Sequence, residues 1–191
     1  MAVRVVIAED EAIIRLDLKE TLEEEGYEVV GETGRGDEAI ELVKRHEPDL
    51  AILDIKMPGL DGLSAAREIA RDGRSAVIIL TAFSQRDLIQ EARDAGVITY
   101  LVKPFQKSDL VPAIEMALGT FSDKKAREAE VQSLQQQLET RVLTDRAKGV
   151  LMDRHAMSEE AAFTFMRTTA MRQRVKMRAI AEQILAGDLV P

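Results

Sequence analysis

Residues 50–54 read Leu-Ala-Ile-Leu-Asp, an unbroken apolar run closed by one carboxylate. A strand with one face in water alternates apolar and polar residues, whereas a strand covered on both faces does not. Two further runs share the pattern, Val-Val-Ile-Ala at 5–8 and Ala-Val-Ile-Ile-Leu at 76–80. Working outward from them, strands are predicted at 3–8, 28–32, 50–54, 76–81 and 98–102, close to the usual length of about 5 to 6 residues. Between the strands apolar residues recur at helical spacing. Ile14, Leu18 and Leu22 mark one helix, Ala39, Leu42 and Val43 a second, and Leu63, Ala66 and Ile69 a third. Leu88, Ile89 and Ala92 mark a fourth, and Leu110, Ile114 and Leu118 close the series. Gly26, Gly73 and Gly96 punctuate the helix ends. Five βα units in residues 1–118 predict an open, doubly wound α/β domain.

No strand pattern follows Gly119. Residues 122–152 read as one long helix, polar at first, with a thin stripe at Val131, Leu134 and Leu138. The stripe covers barely two heptads and fits a solvated linker helix or a dimer seam. From Leu138 the apolar face widens through Val142, Leu143, Ala147, Val150 and Leu151. Ser158 is a good N-cap, with Glu159 and Glu160 favoured in the first turn. The helix it starts is expected to bury Ala162, Phe163, Met166 and Ala170. A last helix carries Met177, Ile180, Ala181, Ile184 and Leu185, and Gly187 ends it. These helices predict a small bundle that leans on the long helix.

Composition narrows the function. The chain has no cysteine, which excludes disulfides, thiolate metal sites and a cysteine nucleophile. No run resembles a signal-peptide core or a membrane span, so a soluble cytoplasmic protein is expected. The net charge of −8 is uneven. Residues 1–118 hold 14 Lys/Arg against 24 Asp/Glu, and residues 119–191 hold 12 against 10. Residues 141–178 hold 9 against 4, a basic block that points to a polyanion partner or to a solvated helix surface. Residues 119–191 contain only His155 and no catalytic cluster, which argues against an enzymic output.

Ligands of open α/β sheets bind at the carboxyl ends of the strands. The first strand ends at Glu9 and Asp10, the third at Asp54, the fourth at Thr81, and Lys103 follows the fifth. Taken singly, each could be a cap, a turn residue or a surface charge. Together they form a reaction set. Three close carboxylates repel one another unless a cation is present, and oxygen ligands favour Mg²⁺. An aspartate can accept a phosphoryl group as an aspartyl-phosphate. Phosphoryl transfer asks mainly for positioning and charge neutralisation, which Mg²⁺ and a lysine supply. A threonine hydroxyl can then bond a phosphoryl oxygen and pull its loop.

Residues 1–118 resemble the receiver domain of two-component response regulators. The matching pieces are IAEDE at 7–11, LDIKMPGLDG at 53–62, TAF at 81–83 and YLVKPF at 100–105. The resemblance implies a flavodoxin-like doubly wound five-stranded parallel sheet. It implies Asp54 as phosphoacceptor, Asp10 as direct metal ligand, and Glu9 as the second acid of the pocket, acting largely through water. It implies a backbone carbonyl of Lys56 on the metal, Thr81 as switch hydroxyl, Lys103 as phosphate-contacting lysine and Tyr100 as switch aromatic. A cis bond before Pro104 is usual in the family. The acidic pair is Glu-Asp rather than the commonest Asp-Asp, and the Lys56 side chain overhangs the site.

Residues 138–185 resemble the ANTAR domain, the RNA-binding output of transcription antitermination regulators. LETRVLTDRAKGVLM at 138–152 and SEEAAFTFMRTTAM at 158–171 carry the likeness. Two positions depart from the family pattern, Thr144 and the Arg172-Gln173-Arg174 segment. The resemblance divides the chain into a receiver (1–118), a linker helix (119–137) and a small all-α three-helix RNA-binding domain (138–191). It implies a signalling regulator rather than an enzyme, with only phosphoryl acceptance and aspartyl-phosphate hydrolysis. Its expected partners are a sensor histidine kinase, hairpin or loop elements of transcripts, and a second copy on activation, with no membrane. Arg141, Lys148, Arg167, Arg172, Arg174 and Arg178 are the candidate RNA contacts, with arginine stacking expected because the domain has no Trp or Tyr and Phe163 reads as core. Two rivals are a DNA-binding helix-turn-helix output and a protein-interaction bundle.

Overall fold

The computed structural model describes residues 2–82 and 86–191, and side chains within 2–82 and 90–191. Phe83 of the TAF motif and the side chains of Leu88 and Ile89 lie outside the described residues. The chain forms two compact units, one ending at Lys125 and one spanning Ala126–Pro191.

In the first unit five strands alternate with helices. In chain order they are β1 (Arg4–Ala8), α1 (Ala12–Glu24), β2 (Glu28–Thr33), α2 (Gly36–His46), β3 (Leu50–Asp54) and α3 (Gly62–Asp72). Then come β4 (Ala76–Thr81), α4 (Arg86–Asp94), β5 (Thr99–Val102) and α5 (Lys107–His155), which continues into the second unit. All pairings are parallel, in the order β2-β1-β3-β4-β5. This is the flavodoxin-like fold. The uninterrupted apolar runs are explained by two cores, one on each face of the sheet. Val5, Ile7, Leu50, Ile52, Ile78 and Leu80 face one core with Leu18, Leu22, Leu110 and Ile114. Their neighbours Val6, Ala8, Ala51, Leu53, Val77 and Ile79 face the other with Ile40, Val43, Leu63 and Ile69. Side chains alternate faces along a strand, so a run buried on both sides must be apolar throughout.

The chain leaves β1 toward β2 on one side and returns to β3 on the other. That reversal opens a crevice beyond the carboxyl ends of β1 and β3, where ligands of such sheets bind.

The helix expected over 122–152 begins earlier. α5 runs from Lys107 to His155 without interruption at Gly119, so the helix marked by Leu110, Ile114 and Leu118 and the long helix are one. A single glycine costs a helix only about 1 kcal/mol relative to alanine, and Met116, Ala117 and Leu118 before it and Lys124, Lys125 and Ala126 beyond it favour the helix. α5 ends before Ala156, which has a positive φ of 51°.

In the second unit α6 (Glu159–Gln173) and α7 (Met177–Ala186) pack with the end of α5. Ser158 caps α6 by accepting a hydrogen bond from the Ala161 N–H. Ala147, Leu151, Ala162, Met166, Ala170, Ile180, Ala181 and Ile184 form the core. Three expectations are corrected. Phe163 is 42% exposed, and Phe165 is the ring that packs against this core. Leu138 and Val142 are exposed, so the apolar face of α5 widens only from Leu143. Arg174 and Arg178, four residues apart and so expected one helix turn apart, do not share a helix, because Arg174 ends α6 in the left-handed conformation while Arg178 belongs to α7.

Candidate functional site

The crevice gathers the strand-end residues singled out in the sequence. A cavity of about 350 Å³ is lined by Asp10, Glu11, Asp54, Ile55, Lys56, Thr81, Ala82 and Lys103. Each side chain is placed by a strand terminus. Asp54 is the last residue of β3, Thr81 the last of β4, and Glu9 follows β1, where its N–H donates to the Thr33 carbonyl. The Lys103 N–H donates to the Thr81 carbonyl at 2.8 Å, which ties the β5 end to β4. The Lys103–Pro104 peptide is cis.

Glu9 and Asp54 are buried, whereas Asp10 is exposed. Carboxylate oxygens of Glu9, Asp10 and Asp54 all lie within 4.8 Å of one another. The Lys103 ammonium stands 2.6 Å from Glu9 Oε2 and 2.8 Å from Asp54 Oδ1. The Lys56 N–H donates to Asp54 Oδ2 at 3.1 Å, and the Glu11 N–H donates to Glu9 Oε1 at 3.2 Å. Burial pushes the Glu9 carboxyl above its ordinary range, and the nearby Asp54 charge adds to this against the pull of Lys103. Burial also works against the Lys103 charge, but its bonds to Asp54 and Glu9 outweigh that and hold its pKa above the ordinary lysine value. The site therefore holds more negative charge than one ammonium neutralises.

That surplus fits a divalent cation. Glu9 Oε2 is buried, with the Lys103 ammonium the one group facing it among the described residues. An all-oxygen donor set with one exposed carboxylate suits Mg²⁺, which keeps several waters.

Sequence reasoning missed two supports. Gly62, the first residue of α3, presses against the backbone of Asp54, where an added Cβ would lie 1.8 Å from the carbonyl oxygen. Its N–H donates to the Ile55 carbonyl at 2.9 Å. The glycine stands in LDIKMPGLDG, but nothing local in the sequence tells which backbone it must approach. Arg15 of α1 is the second, its guanidinium donating to the Glu9 carbonyl. Tyr100, in β5, is 38% exposed.

The basic candidates of the second unit divide into two groups. Lys148 bridges Asp145 at 2.9 Å and Glu159 at 2.8 Å, linking α5 to α6. Arg178 bridges Glu139 at 3.0 Å and Glu182 at 2.8 Å, linking α7 to α5. Bonds to these carboxylates raise the pKa of both cations. Arg141, Arg167, Arg172 and Arg174 are exposed.

Known proteins share this arrangement. The response regulator receiver domain model matches residues 5–115, and the ANTAR domain model matches residues 132–185. The chain belongs to the response regulator family, with a receiver and an ANTAR output, and so is a two-component regulator of transcription. Among particular proteins, it is 55% identical over 182 residues to the transcriptional regulatory protein PdtaR of Mycobacterium tuberculosis, across 95% of this chain and 89% of that one. It is 39% identical over 120 residues to the chemotaxis protein CheY of Bacillus subtilis, across 62% of this chain and 100% of CheY. Among solved structures it resembles the response regulator domain of Thermotoga maritima CheB, with a TM-score of 0.58 and 26% identity over 62% of this chain and 98% of that one. It also resembles the CheX–CheY–BeF3–Mg complex of Borrelia burgdorferi, with a TM-score of 0.56 and 26% identity over 59% and 86%. Receiver domains bind Mg²⁺ at an acidic pocket of this kind. No helix among the described residues is long and apolar enough to cross a membrane.

Proposed function

We propose that this regulator is phosphorylated on Asp54 by a sensor histidine kinase, and that the helical output then binds RNA as a transcription antiterminator. The observation that carries the reading is the Lys103 ammonium shared between Asp54 and Glu9 beside Asp10 at the strand ends. On this reading residues 1–118 are the receiver, 119–137 a linker helix and 138–191 the RNA-binding part.

An Asp54 carboxylate oxygen attacks phosphorus as the P–N bond to the kinase histidine breaks. The electron pair leaves with the imidazole, which takes up a proton. Asp10, Asp54 and the Lys56 carbonyl are the groups that would hold Mg²⁺, with Glu9 acting through water. The ion supplies charge neutralisation among the carboxylates and phosphoryl oxygens. That a CheY of 26% identity is solved with BeF3 and Mg²⁺ supports this role. Lys103 turns its hydrogen bonds from Asp54 to a phosphoryl oxygen. The Thr81 hydroxyl bonds another and draws the loop after β4 toward the site, and Tyr100 follows as the switch aromatic. Release from RNA follows hydrolysis of the aspartyl-phosphate.

In the output, Arg141, Arg167, Arg172 and Arg174 are available for phosphate contacts. Lys148 and Arg178 reach RNA only by giving up the carboxylates that join their helices.

The full chain with Mg²⁺ and a small acyl phosphate tests the first half by intact-protein mass. One phosphoryl group is expected on the wild type and none on Asp54→Asn, and labelling of that variant at the wild-type rate overturns the assignment. Hairpin RNA and duplex DNA offered to the same chain test the second half. Tighter, sequence-selective duplex binding assigns the output to DNA.

A further inference from the structure

Phe163 and Met171 are 42% and 73% exposed on α6, with Arg167 midway between them. Residues four apart on a helix share a face, so the three line one edge. Lack of a core does not account for this, because Phe165 and Met166 of the same helix pack inward. From Arg167 to Lys176 the chain holds four cations, Arg167, Arg172, Arg174 and Lys176, and no carboxylate. Their side chains make no ion pair among the described residues, unlike Lys148 and Arg178.

We propose that this edge of α6 is the base-reading surface of the output domain. An unpaired loop base stacks on the Phe163 ring, the Arg167 guanidinium lies beside it, and Met171 extends the apolar platform. Arg172 and Arg174 meet the flanking phosphates. This rests on the RNA-binding reading and adds the surface, the kind of base recognised and an aromatic device. RNA readout targets unstacked bases through aromatic rings and guanidinium planes, which an A-form stem does not offer. A second copy fits this edge poorly. A two-fold contact centred on this edge would set Arg167 against its own equivalent and bring the partner's cations to the same edge, with no carboxylate between 167 and 176 to answer them. Glu160, three residues before Phe163, closes the surface at the other end.

A hairpin library with randomised loops, selected on the phosphorylated full chain, supplies the probe. The enriched hairpin is expected to bind Phe163→Leu roughly 5- to 140-fold more weakly, the range for losing one stacked base. Leucine keeps the apolar contact and lacks the ring face, so the thermal midpoint stays at the wild-type value. Phe163→Trp is expected to retain binding. The chain has no other tryptophan, so emission from that variant should be quenched as RNA saturates it. If wild type enriches no loop sequence, the RNA reading fails and takes this proposal with it. If wild type binds and Phe163→Leu binds equally, or Phe163→Trp is not quenched at saturation, the surface is wrong while the RNA reading stands. A change in sedimentation of Phe163→Leu with unaltered RNA binding also overturns it, assigning the edge to a second copy.

Discussion

Gly62→Ala is a sharp perturbation of the phosphoacceptor, because it adds one methyl group against the backbone that carries Asp54. The new Cβ would stand 1.8 Å from the Asp54 carbonyl oxygen, 2.7 Å from its carbon and 3.1 Å from the Ile55 Cα. Real Cβ contacts essentially never fall below 3.0 Å, so the two backbones must separate by about 1.2 Å. Neither side yields freely. The Gly62 N–H is bonded to the Ile55 carbonyl, and Asp61 pins the start of α3 through Ser64. Overpacking of this kind costs about 1–3 kcal/mol, and a 1 Å misplacement of a reacting group costs roughly 100-fold in rate. Gly73→Ala is the control. It has a positive φ of 68° but nothing within 4 Å, so it tests left-handed strain without a clash. Denaturant melts followed by circular dichroism should show a larger loss for Gly62→Ala than for Gly73→Ala. Acyl-phosphate labelling should slow by about two orders of magnitude for Gly62→Ala alone. Wild-type melting and labelling by Gly62→Ala would refute the packing argument.

Three other outcomes follow from the structure. Asp61 caps α3, and although burial opposes its charge, bonds from the Ser64 hydroxyl and main-chain N–H groups hold its carboxyl below the ordinary range. A depressed folded pKa gives stability that is present above the unfolded value and lost as pH falls through the folded one. Asp61→Ala should therefore cost about 1 kcal/mol near neutrality and converge on the wild type in acid melts. Gly119→Ala, with open space around the new methyl, should raise the thermal midpoint by the equivalent of about 0.5–1 kcal/mol. A fall would mean that α5 is broken there. Glu9 has a raised pKa, so its ionisation opposes folding as pH rises. Mg²⁺ should offset that penalty, stabilising by about 2.7 kcal/mol at a hundred times its dissociation constant, and more at pH 8 than at pH 5. Equal thermal shifts at both values would count against the carboxylate site.

What the sequence disclosed depended on whether the signal was local. β3 and β4 were legible residue for residue, because burial on both faces forces an uninterrupted apolar run that ends at the polar residue of the crevice, Asp54 or Thr81. The gathering of the candidate residues was legible as well, since parallel topology carries every strand's carboxyl end to one edge. The joining of the helix at Leu110–Leu118 to the long helix was not legible, because Gly119 and the weak helix formers Thr120 to Asp123 lie between them, yet one glycine costs a helix little. Phe163 misled because composition cannot say which of two rings in Phe-Thr-Phe turns inward, and Phe165 does. Gly62 and Arg15 act on backbone brought near by the fold, at Asp54 and Glu9, and neither contact leaves a local signature. Lys148 and Arg178 counted as free positive charge until their partners on other helices were placed.

The central claim is that phosphorylation of Asp54 governs RNA binding by the output domain. Capture of hairpin RNA from a transcript pool tests it most directly, with three samples of the full chain: wild type with a phosphoryl donor, wild type without, and Asp54→Asn with the donor. Capture should be strong in the first and weak in the other two. Equal capture in all three would contradict it.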